Sequence, residues 1–290
     1  MKYVQLRAFH HVALHGSFSR AADALGLTQP AVSDQVLSLE QAYDVLLFDR
    51  RKKQIALTEQ GESLLQITRP MFELESHAAE FLTASRALTS GELRVVADSA
   101  FHVTEVLSRF RSRYPKVHIT LRSGNSQDVE TALAGYHADI GVLGSSVHSQ
   151  RFESIALGAS PIIAFAARSL PDLPAGATEL ADLAAFPLVF REVGSKTRQK
   201  LEDRARQLGV TLRPAIEAEG REAVREIVAA GGGIGFVSRA EFGNDGRLAQ
   251  IPIAGPAILM TETVVCLSQR RDVRMIRAFM TIAGKYGTRD

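Results

Sequence analysis

Apolar positions in the first sixty residues recur at the three- and four-residue spacings of short helices. Leu6, Phe9, Val12 and Ala13 make the first stripe, and Gly16 closes it. Ser19 is placed to cap a second helix that carries Ala21, Ala22 and Leu25 and stops at Gly26. Thr28 is placed to cap a third, with Pro30 in its first turn, where a missing N–H costs nothing. Val32, Val36 and Leu39 form that helix's buried stripe. "LLFDR" and "QIALT" then predict two short strands around the run Arg50, Arg51, Lys52, Lys53.

Thr58, with Gly61 and Glu62, opens a longer helical pattern that runs to about Leu88. Leu64, Ile67, Met71, Leu74, Ala78, Phe81, Ser85 and Leu88 alternate steps of three and four, the seam of a helix that pairs with another helix. Pro70 inside it predicts a local bend. From Gly91 onward the period changes. "ELRVVADS", "VHITLRSGN", "ADIGVLG", "PIIAFAAR", "PLVFRE", "RPAIEAEG", "IGFVSR" and "TETVVCLS" predict strands, separated by amphipathic helices, the last being "VRMIRAFMTIAGKY". Such alternation predicts α/β subdomains with parallel sheets covered by helices. The expected division is 1–57, 58–90 and 91–290, the last made of one subdomain at about 91–161 plus 263–290 and another at about 162–262.

Composition narrows the class without choosing it. The chain is 46% hydrophobic and 23% charged over 290 residues, with a net charge of +2. No window approaches eighteen uninterrupted apolar residues, so a membrane span is not expected. The N-terminal segment lacks the apolar core and cleavage site of a secretory signal, which makes the cytoplasm the expected compartment. A single cysteine, Cys266, excludes an internal disulfide and a multi-cysteine metal site. Near-neutral net charge argues neither for nor against nucleic acid, whereas the local run Arg50–Lys53 is placed to touch phosphate.

Two short helices joined by a tight turn, the second with polar groups outside, describe a helix-turn-helix. Gln29, Ser33 and Gln35 carry amide and hydroxyl groups able to bond base edges or phosphates, and the basic strand pair that follows is placed like a wing. "LRAFHHVALHGSFSRAADALGLTQPAVSDQVLSLEQAYDVLLFDRRKKQIALTEQGESLL" resembles the DNA-binding region of LysR-type transcriptional regulators over about sixty positions. The resemblance extends, in element order, over the whole chain. It implies an α/β protein with an N-terminal winged helix-turn-helix, a long dimerising linker helix and a two-subdomain, periplasmic-binding-protein-like effector domain. It also implies a homodimer or homotetramer on a double-stranded DNA operator, with RNA polymerase as a further partner. The expected DNA-contacting set is Ser19, Thr28, Gln29, Pro30, Ser33, Asp34, Gln35, Arg50, Arg51 and Lys53. Two residues depart from the family pattern. Asp34 puts an acid where a basic or polar residue is usual, and Asp44 replaces a glycine before the "LF-R" signature.

Ligands of this architecture sit at strand ends and helix N-termini between subdomains. Three loops qualify: Ser99, Ala100 and Phe101 after "ELRVVADS"; Asn125, Ser126 and Gln127; and Ser195, Thr197 and Arg198. Their N–H groups, hydroxyls and positive helix ends suit a small anion, though any one of these Ser or Thr residues reads equally as an N-cap. Arg221 and Glu222 are weaker members, explained as well by a surface ion pair. "GNSQDVETALAGYHADIGVL", "REVGSKTR" and "GREAVREIVAAGGGIGFVSRAEFG" are similar to the LysR-type subgroup associated with 2-aminoethylphosphonate catabolism. That likeness implies control of phosphonate uptake or breakdown genes, with this compound or a degradation product as effector. A carboxylate or sulfur anion would meet the same loops.

Rival classes carry less. "GGGIGFVS" closes a helix and leads into a strand, the reverse of a dinucleotide loop, and reads as a helix end with close packing. No nucleophile elbow or zincin motif is present, so no catalytic residue and no cofactor are expected. His11 and His15 share a helix face but lack a third metal ligand in the sequence, so no metal is assigned. A small-solute-binding protein without a regulatory role would show the same effector half, and the helix-turn-helix argues against it.

Overall fold

The computed structural model describes residues 1–49, 55–82, 91–145, 149–174 and 176–287. They fall into two compact units, Met1–Arg86 and Ala87–Asp290.

The first unit contains α1 (Tyr3–His15), α2 (Phe18–Leu25), α3 (Gln29–Tyr43), β1 (Phe48–Asp49), β2 (Ala56–Leu57) and α4 (Glu59–Leu82). Leu6, Phe9 and Val12 pack with Ala21, Ala22, Val32, Val36 and Leu39, and Leu65 and Phe72 of α4 close the same core. Alanines on α2 let α3 approach closely. The cap of α2 is Ser17, whose hydroxyl accepts from the Arg20 N–H, and not Ser19. The helix begins earlier than its first apolar pair, which leaves Ser19 exposed inside the first turn. Thr28 caps α3 by accepting from the Ala31 N–H at 3.4 Å.

At the other end of α3, Asp44 takes the left-handed conformation, φ 53° and ψ 47°. The buried carboxylate of Glu40 accepts from the N–H groups of Leu47 (2.8 Å) and Phe48 (3.2 Å), which fixes the entry into β1. β1 and β2 pair antiparallel, Phe48 opposite Leu57. Gly61 seats α4 on this ribbon, because a Cβ there would lie 2.1 Å from the Leu47 carbonyl oxygen. α4 runs through Pro70 as one helix to Leu82. Ser85 and Leu88 of the seam, and Arg50, Arg51 and Lys53 of the wing, lie outside the described residues.

The second unit follows the order β3 (Gly91–Ala97), α5 (Thr104–Arg113), β4 (Val117–Ser123), α6 (Ser126–Ala134), β5 (Ile140–Leu143) and β6 (Phe152–Ala167). Next come α7 (Leu180–Leu183), β7 (Leu188–Arg191), α8 (Lys196–Gln207), β8 (Pro214–Ala218) and α9 (Arg221–Ala229). β9 (Ile234–Ser238), α10 (Arg239–Phe242), β10 (Leu248–Ile251), β11 (Leu259–Leu267) and α11 (Arg274–Gly287) complete it. Its strands form one sheet, β4-β3-β5-β11-β6-β9-β7-β8, with β10 on β6.

The sheet is mixed, which corrects the expectation of parallel sheets. β3 lies parallel to β4 and β5, and β7 to β8 and β9, but β6 and β11 run antiparallel to every neighbour. β6 begins at Phe152, well before the predicted start at Pro161. Phe152–Pro161 pairs with β11, and from Ile162 the strand exchanges that partner for β9. Proline, which cannot donate to a ladder, falls where the pairing changes.

β6 and β11 thus belong to two halves. On one side Leu93, Val95, Phe110, Ile140, Val264 and Phe279 share a core. On the other Ile162, Leu180, Leu188, Leu201, Phe236 and Met260 share another. "TELADLAAF" yields a single helical turn, α7. β10 and α10 are too short to show a period in the sequence. The glycines before β9 allow close packing as expected: a Cβ on Gly233 would meet the Pro187 carbonyl oxygen at 2.1 Å.

Candidate functional sites

The outward face of α3 is set by the opposite stripe. Val32, Val36 and Leu39 turn inward, and at about 100° per residue Asp34 stands near the middle of the outer face. Pro30, Asp34 and Leu37 are exposed there, and Gln29 is exposed at the helix start. Ser33 and Gln35 are half-buried at the flanks, while Ser19 and Thr28 are exposed on the side of α2 and the turn. Around the exposed Pro30, Asp34 and Leu37, the amides of Gln29 and Gln35 and the hydroxyl of Ser33 are the types that bond base edges and phosphates.

In the second unit a cavity of about 690 Å³ opens beside β3, β7 and the start of α9. Ser99, Ala100, Phe101, Asn125 and Arg221 line it, so three of the expected segments meet in one place. Ser126 lies behind the wall, fully buried, with its hydroxyl 3.3 Å from Asp98 Oδ2. Gln127, Ser195 and Arg198 line a neighbouring cavity of about 420 Å³ instead, and Thr197 is buried and lines neither. Asn125 is a helix cap, its Oδ1 accepting from the Gln127 (3.0 Å) and Asp128 (3.1 Å) N–H groups. Ser195 makes no cap bond, and its buried hydroxyl has no partner among the described residues. Arg198 is committed to Glu202 (2.8 Å), Glu217 (2.5 Å) and the Arg191 carbonyl (3.0 Å).

The electrostatics of the main cavity differ from a simple anion site. Asp98, Asp128, Glu192, Glu219, Glu222 and Glu241 stand against Arg191, Arg221 and Arg225, six carboxylates against three guanidiniums. Arg191 is held by Glu192 (2.6 Å) and Asp98 (3.3 Å). Burial opposes the charge of Glu192, but its bonds with Arg191 outweigh that and hold its carboxyl below the usual range. Arg221 pairs with Glu241 (3.0 Å) and Asp98 (3.4 Å) and donates to the Asp98 carbonyl, so it bridges elements and is no surface partner of Glu222. Arg225 donates to the carbonyls of Glu241 (3.0 Å) and Phe242 (2.5 Å). Glu219 and Glu222 have no ion pair among the described residues.

Behind Glu241 lies a buried group that the sequence did not single out. His102 Nε2 is 3.1 Å from Glu241 Oε1 and 3.4 Å from Glu262 Oε1. Burial pushes the Glu262 carboxyl up to about 7, with nearby His102 opposing. Burial also opposes the charge of Glu241, yet its bond to His102 and the nearby Arg221 keep it below the usual range. His11 and His15 stack with centroids 6.0 Å apart.

Comparison with known proteins assigns the chain. Residues 3–62 match the bacterial regulatory helix-turn-helix protein model of the lysR family, and residues 86–287 match the LysR substrate binding domain. The chain belongs to the LysR family. Its relatives in that family include the RuBisCO operon transcriptional regulator of Allochromatium vinosum, 32% identical over 81% of this chain and 78% of that protein. The uncharacterized regulator YeiE of Escherichia coli is 30% identical over 95% of this chain and 94% of its own. Among solved structures, a cysteine variant of full-length OxyR from Pseudomonas aeruginosa superposes with a TM-score of 0.77 at 18% identity, covering 98% of this chain and 94% of that one. Full-length CbnR complexed with its target DNA gives 0.68 at 20% identity, over 99% and 100% of the two chains. The LysR-type architecture of helix-turn-helix plus two-subdomain binding domain is therefore this protein's fold, and the protein is a DNA-binding, ligand-responsive transcriptional regulator and not an enzyme.

Within this LysR-type regulator, Asp98, Arg191, Glu192, Arg225 and Glu241 escaped sequence reasoning. One signal was available: Arg191 breaks the apolar strand "PLVF", and a charge in a buried strand needs a buried partner. Glu241 gave no such sign, since it follows a strand in an ordinary polar turn.

Proposed function

We propose that this regulator senses a small zwitterion carrying both an ammonium and an oxyanion, with 2-aminoethylphosphonate the foremost case, and controls genes for phosphonate uptake or breakdown. The observation that carries the reading is the mixed wall of the main cavity. Glu219 and Glu222, without ion pairs among the described residues, suit an ammonium. Arg225 and the N-terminus of α9 suit the oxyanion. A plain carboxylate or sulfate would meet a wall with more carboxylates than guanidiniums. In the same reading the outer face of α3, with Ser19, Thr28, Gln29, Pro30, Ser33, Asp34 and Gln35, meets the operator, and α4 pairs two chains.

A second reading comes from relatives named for the RuBisCO operon, at 32% identity. On that reading the target genes belong to carbon fixation and the effector is a different small metabolite. Titration calorimetry separates the two. With 2-aminoethylphosphonate, saturable binding is expected, while ethylphosphonate and ethanolamine, each lacking one charge, bind at least about tenfold more weakly. Glu222→Gln and Arg225→Gln each weaken binding of the zwitterion and leave operator binding by the unliganded protein unchanged. A folded, DNA-binding protein that gives no heat with 2-aminoethylphosphonate overturns the phosphonate assignment. Tighter binding of ethylphosphonate overturns the zwitterion.

A further inference from the structure

We propose that His102, Glu241 and Glu262 form a binding site for one divalent transition-metal ion of the zinc class, set behind the effector cavity where the two halves of the second unit join. The proposal is independent of the effector's identity, because two of the three side chains do not line that cavity.

The geometry is close to that of a bound ion. One ligand atom from each of the three residues lies within 4.8 Å of the other two. Nε2 of His102 stands 3.1 Å from Glu241 Oε1 and 3.4 Å from Glu262 Oε1. Bonds of about 2.0–2.1 Å in tetrahedral array put neighbouring ligands roughly 3.4 Å apart. An imidazole with two carboxylates is a donor set for zinc, manganese, iron or cobalt, whereas magnesium and calcium take oxygen alone.

An independent observation points the same way. Glu262 is 1% exposed, and neither of its carboxylate oxygens has a hydrogen-bond partner among the described residues. A buried carboxylate with no hydrogen bond and only His102 beside it is costly, and a cation bound there removes that cost. Glu262 sits at the register shift between Glu262 and Thr263 in the β6–β11 pairing, the kind of irregularity that re-aims a side chain. Glu241 is oriented from behind. Arg221 Nε faces its Oε2 at 3.0 Å, which leaves Oε1 toward His102.

The site also has a consequence for sensing. His102 follows β3 in the first half, Glu241 lies on α10 in the second, and Glu262 lies on a strand common to both. An ion held by all three favours the arrangement that brings the halves together. Since Glu241 and Arg221 also line the cavity, metal and effector change each other's affinity by the same factor.

The test uses the full chain, stripped with chelator and titrated with Zn²⁺. His11→Gln and His15→Gln are introduced into the background, so that the stacked histidine pair on α1 contributes no ligand to the titrated Zn²⁺. One Zn²⁺ per chain is expected, with a raised melting temperature. His102→Gln and Glu262→Gln should each weaken binding by at least about tenfold while keeping the native circular dichroism spectrum. Absence of a saturable site in the folded background protein overturns the proposal, as does unchanged affinity in both variants. If Glu262→Gln does not fold, His102→Gln decides the matter with the visible absorption of bound Co²⁺, which should be present in the background protein and lost in the variant.

Discussion

Asp44 occupies a backbone position that glycine fills without strain, φ 53° and ψ 47° at the end of α3. Aspartate tolerates this region better than most residues but still gives up about 1 kcal/mol there. Asp44→Gly should therefore raise the stability of the first unit by up to about that amount in urea titrations, with the wing still formed. His10 is the second residue with a readable energetic sign. It is 5% exposed, its Nδ1 is 3.0 Å from the Thr68 hydroxyl, and burial, followed by nearby positive groups, lowers its pKa to about 4. The unfolded chain binds a proton near pH 6.5 that the folded chain refuses. His10 therefore contributes fully above pH 6.5, and its contribution is lost as pH falls from there toward 4, by at most about 3 kcal/mol. Urea melts from pH 7.5 to 4.5 should show this slope, and His10→Gln should flatten it. A smaller slope of the same sign remains from His11, which burial also lowers.

At the scale of elements, α3 and the joint between α4 and the ribbon carry the testable weight. Gln29→Ala and Ser33→Ala should each cost about 1–3 kcal/mol of specific operator binding if they meet base edges. Asp34→Asn should strengthen binding to unrelated DNA, because it removes an acid from the centre of the outer face. Fluorescence anisotropy against operator and scrambled duplexes, at two salt concentrations, reads both effects. Gly61→Ala should destabilise the first unit by about 2–3 kcal/mol, since the Leu47 carbonyl oxygen is backbone and cannot swing aside. Much of this scale was legible in advance. The stripes on α1, α3 and α4 follow from local periodicity, and Thr28, Pro30 and Gly26 punctuate them by local rules. The direction of β6 and β11 was not legible, because an antiparallel strand shared by two half-sheets has the same apolar run as a parallel one. Nor was the acidic wall of the cavity. Asp98, Arg191, Arg221 and Glu241 come from four distant segments, and only the folded chain sets them against one another.

On the scale of the whole molecule, the face of α4 that does not enter the core is the feature with a predicted partner. Leu65, Thr68 and Phe72 turn inward, while Ile67 and Leu74 are 66% and 58% exposed, with Met71 and Ala78 on the same side. These four positions repeat the seam read from the sequence, and a second copy of α4 covers them if the chain is a dimer. Ile67→Glu with Leu74→Glu should shift sedimentation velocity toward the monomer while each chain keeps its helical content. The two shared strands have another consequence, for synthesis. The first half of the second unit is completed only by β11 and α11, which follow every strand of the second half along the chain. Residues 1–86 can close around their own core much earlier. A nascent chain therefore holds every residue of the helix-turn-helix core before the first half of the second unit can close.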